Sequence, residues 1–448
     1  MLYKYLTKYY PTFEHKNFNR YNCGLFVFPE LKQEVKTLDK KKAEKLINQK
    51  LKNPLHYLAV SLEKFFINLE LEEESFEKNM LLLKSLRRRK LDDECINIID
   101  KELQKQSKSK IKRKEQPLEQ FQYLHFKRNL TNKLNCNTVS IEPLLHKLDE
   151  YYFHTKLLYN NEIITHNKIS GKENENHLVS EILQLIENKE SKKTSPSILL
   201  NTYLFHLLSG NEGTTYDFVK DYYFINFEKL IEEDKSNAIF YLINYWTIGA
   251  GCSEKNKKLD EMFNIYDFAI KKELLIEDKT MDSTTFKNII TISTALNKND
   301  WAFIFINENK KYLKIKDAPN VVKLSFARVE HSKENYEKVI ELTKDIVFQD
   351  VFDNISVRTI MVTSYFSLKE WHTLDFYFES FQKFIKRNKA ISEETKLGLN
   401  NMISIIKKLV KAKTDNSYSK IYLEKLLENT KPLFMSSWLK SRINQLKG

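Results

Sequence analysis

The chain has 448 residues, 42% of them hydrophobic and 30% charged, a balance that suits a globular protein and excludes wholly disordered or membrane-embedded classes. At roughly 100–200 residues per domain, this length accommodates two to four units. Eight glycines and eight prolines are too few for collagen-like, sandwich or Gly-rich nucleotide-binding folds, so long uninterrupted elements, that is helices, are expected.

In chain order, Leu2 to Tyr10 reads as a first helix stopped at Pro11, and residues 12–38 read as irregular. Asn53-Pro54 has the form of an N-cap followed by proline in the first helical position. Leu55, Leu58, Leu62, Phe65, Phe66 and Leu69 then recur at steps of three and four, the apolar stripe of an amphipathic helix. Two further helices are expected near 76–89 and 91–106, and a long one from Ile141 to about Ile169. The polar segment 170–176 reads as a loop, and Ser195-Pro196 repeats the cap-then-proline signature. Strict apolar-polar alternation is sustained nowhere, so almost no strand is expected. The uncharged run Ser236–Ser253 contains Asn244, Thr247 and two glycines and falls short of the ~20 apolar residues of a spanning helix, so it reads as a buried helix ending near Gly249.

Charge is unevenly distributed. The formal net charge is +13, and residues 1–140 hold 29 Lys and Arg against 18 Asp and Glu, which is +11 of it. Two runs concentrate the excess: Lys84, Arg87, Arg88, Arg89 and Lys90, and the stretch 105–114 that includes Lys108, Lys110, Lys112, Arg113 and Lys114. Such asymmetry points to an acidic partner, with nucleic-acid phosphates as one candidate. A solvated helix face followed by an exposed linker accounts for the same runs, and no aromatic residue interleaves the second one as a stacking platform would require.

The last third carries a repeat. Trp301, Tyr336 and Trp371 are spaced 35 residues apart, in LNKNDWAFIFI, HSKENYEKVIE and FSLKEWHTLDF. Three residues after each aromatic stand Ile304, Val339 and Leu374, and nine before it stand Ile292, Ala327 and Val362. A helix pair this short cannot bury its apolar stripe alone, whereas stacking pairs at a constant period puts one position at every interface. An aromatic early in the second helix, preceded by a tight turn, resembles the tetratricopeptide repeat, whose period is about 34 residues. The resemblance spans 284–388 and extends more loosely back to about 195 and on through 392–428 and 433–446. It departs from that family's pattern in lacking the first-helix glycine and in having Ile304, Val339 or Leu374 where a small residue belongs. It implies an array of antiparallel helix pairs with an extended concave face. The front of the chain (YLTKYYP at 5–11, PLHYLAVSLEKFFINLELEEE, and LLLKSLRRRKLDDECINIIDKELQK at 81–105) is similar to a group of uncharacterised helical proteins from Bacteroidetes, which implies architecture and no activity.

Constellations that carry chemistry are missing. There is no Gly-rich phosphate loop, no HExxH and no G-x-S-x-G elbow. His146 and His154 lie eight apart with no third ligand in view, and Glu72-Glu73-Glu74 reads as a solvated charge run. Cys23, Cys95, Cys136 and Cys252 are unclustered, which speaks for free thiols in a reducing compartment rather than disulfides or zinc. The start of the chain has no apolar signal-peptide core, so a cytoplasmic location is expected. The expected organisation is all α: a basic N-terminal helical domain at 1–114, a connecting segment at 115–194 and a tetratricopeptide-like array at 195–448. The expected function is a non-catalytic scaffold without cofactor or metal that binds a protein or peptide, with a nucleic-acid-associated regulator as the alternative and no membrane partner.

Overall fold

The computed structural model describes the chain except for residues 74, 132–139, 172–177, 189–193, 212, 250–254, 315 and 447–448. Among the described residues it is all α, with twenty-two α-helices and no strand beyond one β-bridge between Glu277 and Thr280. No described helix is long and apolar enough to cross a membrane. The expected loop at 170–176 and the thiols of Cys136 and Cys252 lie largely outside the described residues.

The residues group into two compact units, one of 1–109 with 115–149 and one of 110–114 with 150–448. In the first, α1 (Leu2–Thr7), α2 (Arg20–Val27), α3 (Leu31–Lys36) and the long α4 (Lys40–Glu73) enclose a core of Tyr5, Leu31, Val35, Ile47 and Leu51. Two expectations fail here. Residues 12–38 are not irregular, because Asn19 caps α2 by accepting the Asn22 N–H at 2.9 Å. Pro54 does not open a helix but lies inside α4. Beyond it α4 leaves the core: every residue from 61 to 70 is exposed, Phe65, Phe66 and Ile67 among them. The helices α5 (Ser75–Arg88), α6 (Asp92–Lys108) and α7 (Gln116–Thr131) share a second core of Leu83, Cys95, Ile99, Tyr123, Phe126 and Leu130.

In the second unit, α8 (Glu142–Ser170, from Glu150 on), α9 (Val179–Asn188) and α10 (Pro196–Ser209) pack through Phe153, Leu157, Ile182 and Ile198. Then follow α11 (Tyr216–Asn226), α12 (Glu232–Asn244), α13 (Lys255–Lys271), α14 (Ser283–Ala295), α15 (Asn299–Asn309), α16 (Ala318–Ser332) and α17 (Tyr336–Thr343), all around one continuous core. A last core joins α18 (Val351–Ser367), α19 (Trp371–Arg387), α20 (Glu393–Thr414), α21 (Lys420–Asn429) and α22 (Ser436–Asn444).

One turn recurs within the hairpins α14–α15, α16–α17 and α18–α19. Asn297, Glu334 and Lys369 sit in the left-handed region at φ 57°, 62° and 58°. The next residue (Lys298, Asn335 or Glu370) donates its N–H to the carbonyl five residues back, on Ser293, Glu330 or Tyr365, at 2.9–3.0 Å. This is a Schellman closure. That same residue is the N-cap of the following helix, with φ between −86° and −78° and ψ between 53° and 68°. Lysine, asparagine and glutamate thus hold positions that usually go to glycine, in keeping with a chain of so few glycines.

The turn fixes a register that differs from the sequence register in the first hairpin. Four residues after the shared N-cap come Ala302, Val339 and Leu374, each at most 1% exposed; eight before it come Ile290, Ala327 and Val362, all at 0%. Ile304 is therefore not equivalent to Val339 and Leu374: it is 55% exposed, and Ala302, a small residue, takes the buried place. Likewise Ile290 rather than Ile292 matches Ala327 and Val362, although Ile292 is itself buried. Trp301 lies two positions deeper in its helix than Tyr336 and Trp371 and packs differently. Its ring stacks on Phe305 and meets Phe263 edge-on, and its indole N–H donates to Asp267 at 3.1 Å. Tyr336 and Trp371 instead turn back onto the preceding helix, against His331 and Phe366.

The same turn appears once more in the first unit. Lys90 has φ 62°, and Leu91 donates to the Leu86 carbonyl at 3.2 Å and caps α6. Cys95 and Leu83 then stand four after and eight before, both at 0% exposure, with the thiol 3.7 Å from the Leu83 carbonyl.

Candidate functional site

The basic residues singled out in the sequence divide between the two units. Lys84, Arg87 and Arg88 lie on α5, and Arg89 and Lys90 form the turn after it. Arg87 is half-buried, its guanidinium 5.5 Å above the Phe126 ring, and Arg89 reaches back to the Ser85 carbonyl at 3.0 Å. The next helix opens with Asp92, Asp93 and Glu94. Basic residues at the C-terminal end of α5 and acidic ones at the N-terminal end of α6 are the pattern that complements two helix dipoles, so much of this charge is answered locally. Lys108 ends α6, whereas Lys110, Lys112, Arg113 and Lys114 group with the second unit, where the Lys112 carbonyl accepts the Glu232 N–H at 3.0 Å.

Two polar places in the second unit stand out instead. The first is buried and closed. His154 on α8 donates Nε2–H to Asp234 Oδ2 at 2.8 Å, and Asn201 on α10 donates to Asp234 Oδ1 at 3.0 Å. Asn161 donates to the Asn201 carbonyl at 3.0 Å. The His154 and Asp234 side chains are only 3% and 2% exposed, so this His-Asp pair is out of reach of any substrate and ties α8, α10 and α12 together. His146 is exposed, and no cluster of three metal-binding side chains occurs among the described residues.

The second place is an open cavity of about 580 Å³ walled by α14, α16 and α18 and closed at one side by α22. Arg328 and His331 enter from α16, the hydroxyls of Thr291, Thr359 and Thr363 from α14 and α18, and Trp438 and Arg442 from α22. The recurring turn builds it. Arg328 stands between Ala327 and Val329, both at 0% exposure, and lines the cavity. Trp371 packs on Phe366, and Phe366 packs edge-on against Trp438 at 5.2 Å, so a hairpin aromatic holds the indole wall in place.

The electrostatics of the cavity are one-sided. Arg328 makes no ion pair among the described residues, and burial pulls its pKa down. The carboxylate acting on it, Asp353, is already held by Lys287 at 2.6 and 2.7 Å. Arg442 stacks at 5.6 Å over Trp438 and gives Nη1 to Gln445 at 3.1 Å. His331 donates Nε2–H to Thr363 at 2.8 Å, since the Thr363 hydroxyl itself donates to the Ile360 carbonyl. Burial, then Arg442 and Arg328, push the His331 pKa down to about 4, so the imidazole is neutral at pH 7. The single carboxylate of the lining, Glu334, is exposed at the rim.

Sequence reasoning missed Arg328 and Arg442. The signal for Arg328 was present: a charged residue inside LSFARVEH, where its neighbours are core residues. Arg442 could not be placed, because nothing local in SSWLKSRINQ ties α22 to α16. Comparison with known proteins finds no matching family model, no matching curated protein and no matching solved structure.

Proposed function

We propose that the chain is a non-catalytic interaction scaffold of tetratricopeptide-like helix pairs, acting in the cytoplasm and receiving its partner in the cavity walled by α14, α16 and α18. The observation that carries this reading is that the first helices of three hairpins in common register present polar side chains to one open cavity. Repeat arrays characteristically expose such a face for a partner. Affinity capture with the wild-type chain and with Thr359→Trp tests it, since the indole would fill the cavity from α18 without touching a turn. A specific protein enriched by the wild type and lost with the variant is the expected result. Equal recovery by both, or from neither, overturns the reading. The nucleic-acid alternative keeps the +11 charge of residues 1–140 as its support, but the carboxylates at the start of α6 weigh against it. It demands low-salt binding that falls steeply with added salt and with neutralisation of Arg87, Arg88 and Arg89.

A further inference from the structure

Among the described residues, three that line the cavity each carry a buried N–H donor without a partner: Nε of Arg328, Nε of Arg442 and Nε1 of Trp438. The hydroxyls of Thr291, Thr359 and Thr363 direct their protons elsewhere. Those of Thr291 and Thr359 donate to carbonyls of their own helices, and Thr363 bonds both Ile360 and His331. Charge is just as unmatched. Lys369 and Lys413 add positive potential beside Arg442: burial first, then Arg442 and Lys369, push the Lys413 pKa down. Buried donors and buried cations are ordinarily paired, because leaving them unpaired costs free energy. Here two guanidiniums face a lining whose one carboxylate, Glu334, is exposed at the rim, so negative charge is what the buried side of the cavity lacks.

The count of forks and charges says which acceptor. A guanidinium presents Nε–H and Nη2–H as a side-on fork, and the Nε of Arg442 has no protein partner among the described residues, since Nη1 is the nitrogen held by Gln445. One carboxylate brings one charge and two oxygens, too little for two forks and an indole. A phosphate monoester brings close to two charges and three free oxygens at neutral pH. The cavity, at about 580 Å³, has room for such a group and the residue that bears it.

We propose that this cavity binds a dianionic phosphoryl group, with Arg328 and Arg442 gripping its oxygens side-on and the Trp438 indole N–H donating to a third. The inference rests on the scaffold reading only for the source of the group, a phosphorylated partner as opposed to a free phosphate ester.

The test is calorimetric titration of the full chain with phenyl phosphate, inorganic phosphate and, as the carboxylate counterpart, benzoate, at pH 7.5 and constant ionic strength. Saturable binding of both phosphates is expected, with benzoate at least about tenfold weaker. Arg328→Gln and Arg442→Gln should each weaken phosphate binding at least about tenfold. Arg358→Gln, at a guanidinium capped by the Phe384 ring at 4.6 Å and outside the lining, should bind like the wild type. If a Gln variant fails to fold, the corresponding Arg→Lys variant, which keeps charge but loses the fork, should still bind measurably more weakly. Absence of saturable phosphate binding, benzoate binding as tightly, or indifference to both arginine substitutions overturns the proposal. Phosphatase treatment of a captured partner separates the sources: loss of capture assigns the group to the partner, and unchanged capture assigns it to a free ester. Cavity-dependent capture with no phosphate binding sinks this inference alone, whereas phosphate binding without any capture sinks the scaffold reading alone.

Discussion

The network around Asp234 and the cavity around Arg328 lie in one unit and are built from the same kinds of side chain, yet they are balanced in opposite ways. At Asp234, both carboxylate oxygens receive a donor, and the donors come from separate helices. At Arg328, donors and positive charge accumulate, and the single carboxylate of the lining, Glu334, is exposed at the rim. Burial alone therefore does not mark a polar group as structural. What distinguishes the two places is whether the fold itself supplies partners to the charged group: Asp234 has both, although Nδ1 of His154 and Oδ1 of Asn161 stay unpartnered, whereas Arg328 has none among the described residues. The closed network costs little once made and a great deal when broken, while the cavity carries a standing cost that binding can relieve.

The sharpest way to break this contrast is Asp234→Ala. It leaves His154 and Asn201 without their acceptor, and denaturant unfolding should show a loss of about 3–5 kcal/mol. If the loss is below about 1 kcal/mol, the network is not the clasp described here. Next in size, Ala302→Leu should cost about 1–3 kcal/mol by overpacking, whereas Ile304→Ala, at an exposed position, should stay within about 0.5 kcal/mol. The reverse order would restore the 35-residue sequence register.

A pH effect of intermediate size is expected at His331. Its folded pKa is lowered to about 4 by burial and the two arginines, below the unfolded value near 6.5. The unfolded chain therefore binds the extra proton first, and stability falls as pH drops from about 6.5 towards 4, then levels off. His331→Gln should flatten that stretch of the profile. The smallest effect is expected at Arg328. Arg328→Gln should leave stability unchanged or raise it by up to about 1 kcal/mol, because no carboxylate of the fold is orphaned by it. A large destabilisation would show that Arg328 is structural and would erase the contrast with Asp234.

Much of the fold was legible in the sequence and much of the site was not, for one reason. The helical class, the hairpins at 284–388 and the helices near 76–89 and 91–106 follow from local periodicity and scarce turn residues. The two-residue slip at Trp301 was invisible because the eye aligns large aromatics, whereas the backbone aligns the left-handed turn residue, which here is Asn, Glu or Lys and carries no fixed letter. The 12–38 helices were hidden by their short length, and the run of α4 through Pro54 by a capping signature that local sequence cannot distinguish from a kink. The cavity joins residues 328 and 442, a separation that no local pattern spans.

The shared residue at each hairpin turn has a mechanical corollary. Leu91, Lys298, Asn335 and Glu370 each end the closure of one helix and cap the next, so there is no slack between the two. Inserting a single residue there would rotate everything that follows by about 100° about its axis. Cys95, Ala302, Val339 or Leu374 would swing out of the interface, and a lesion of one codon would be felt as the loss of a whole layer. Length variation in this chain should accordingly collect between hairpins and leave their tips untouched.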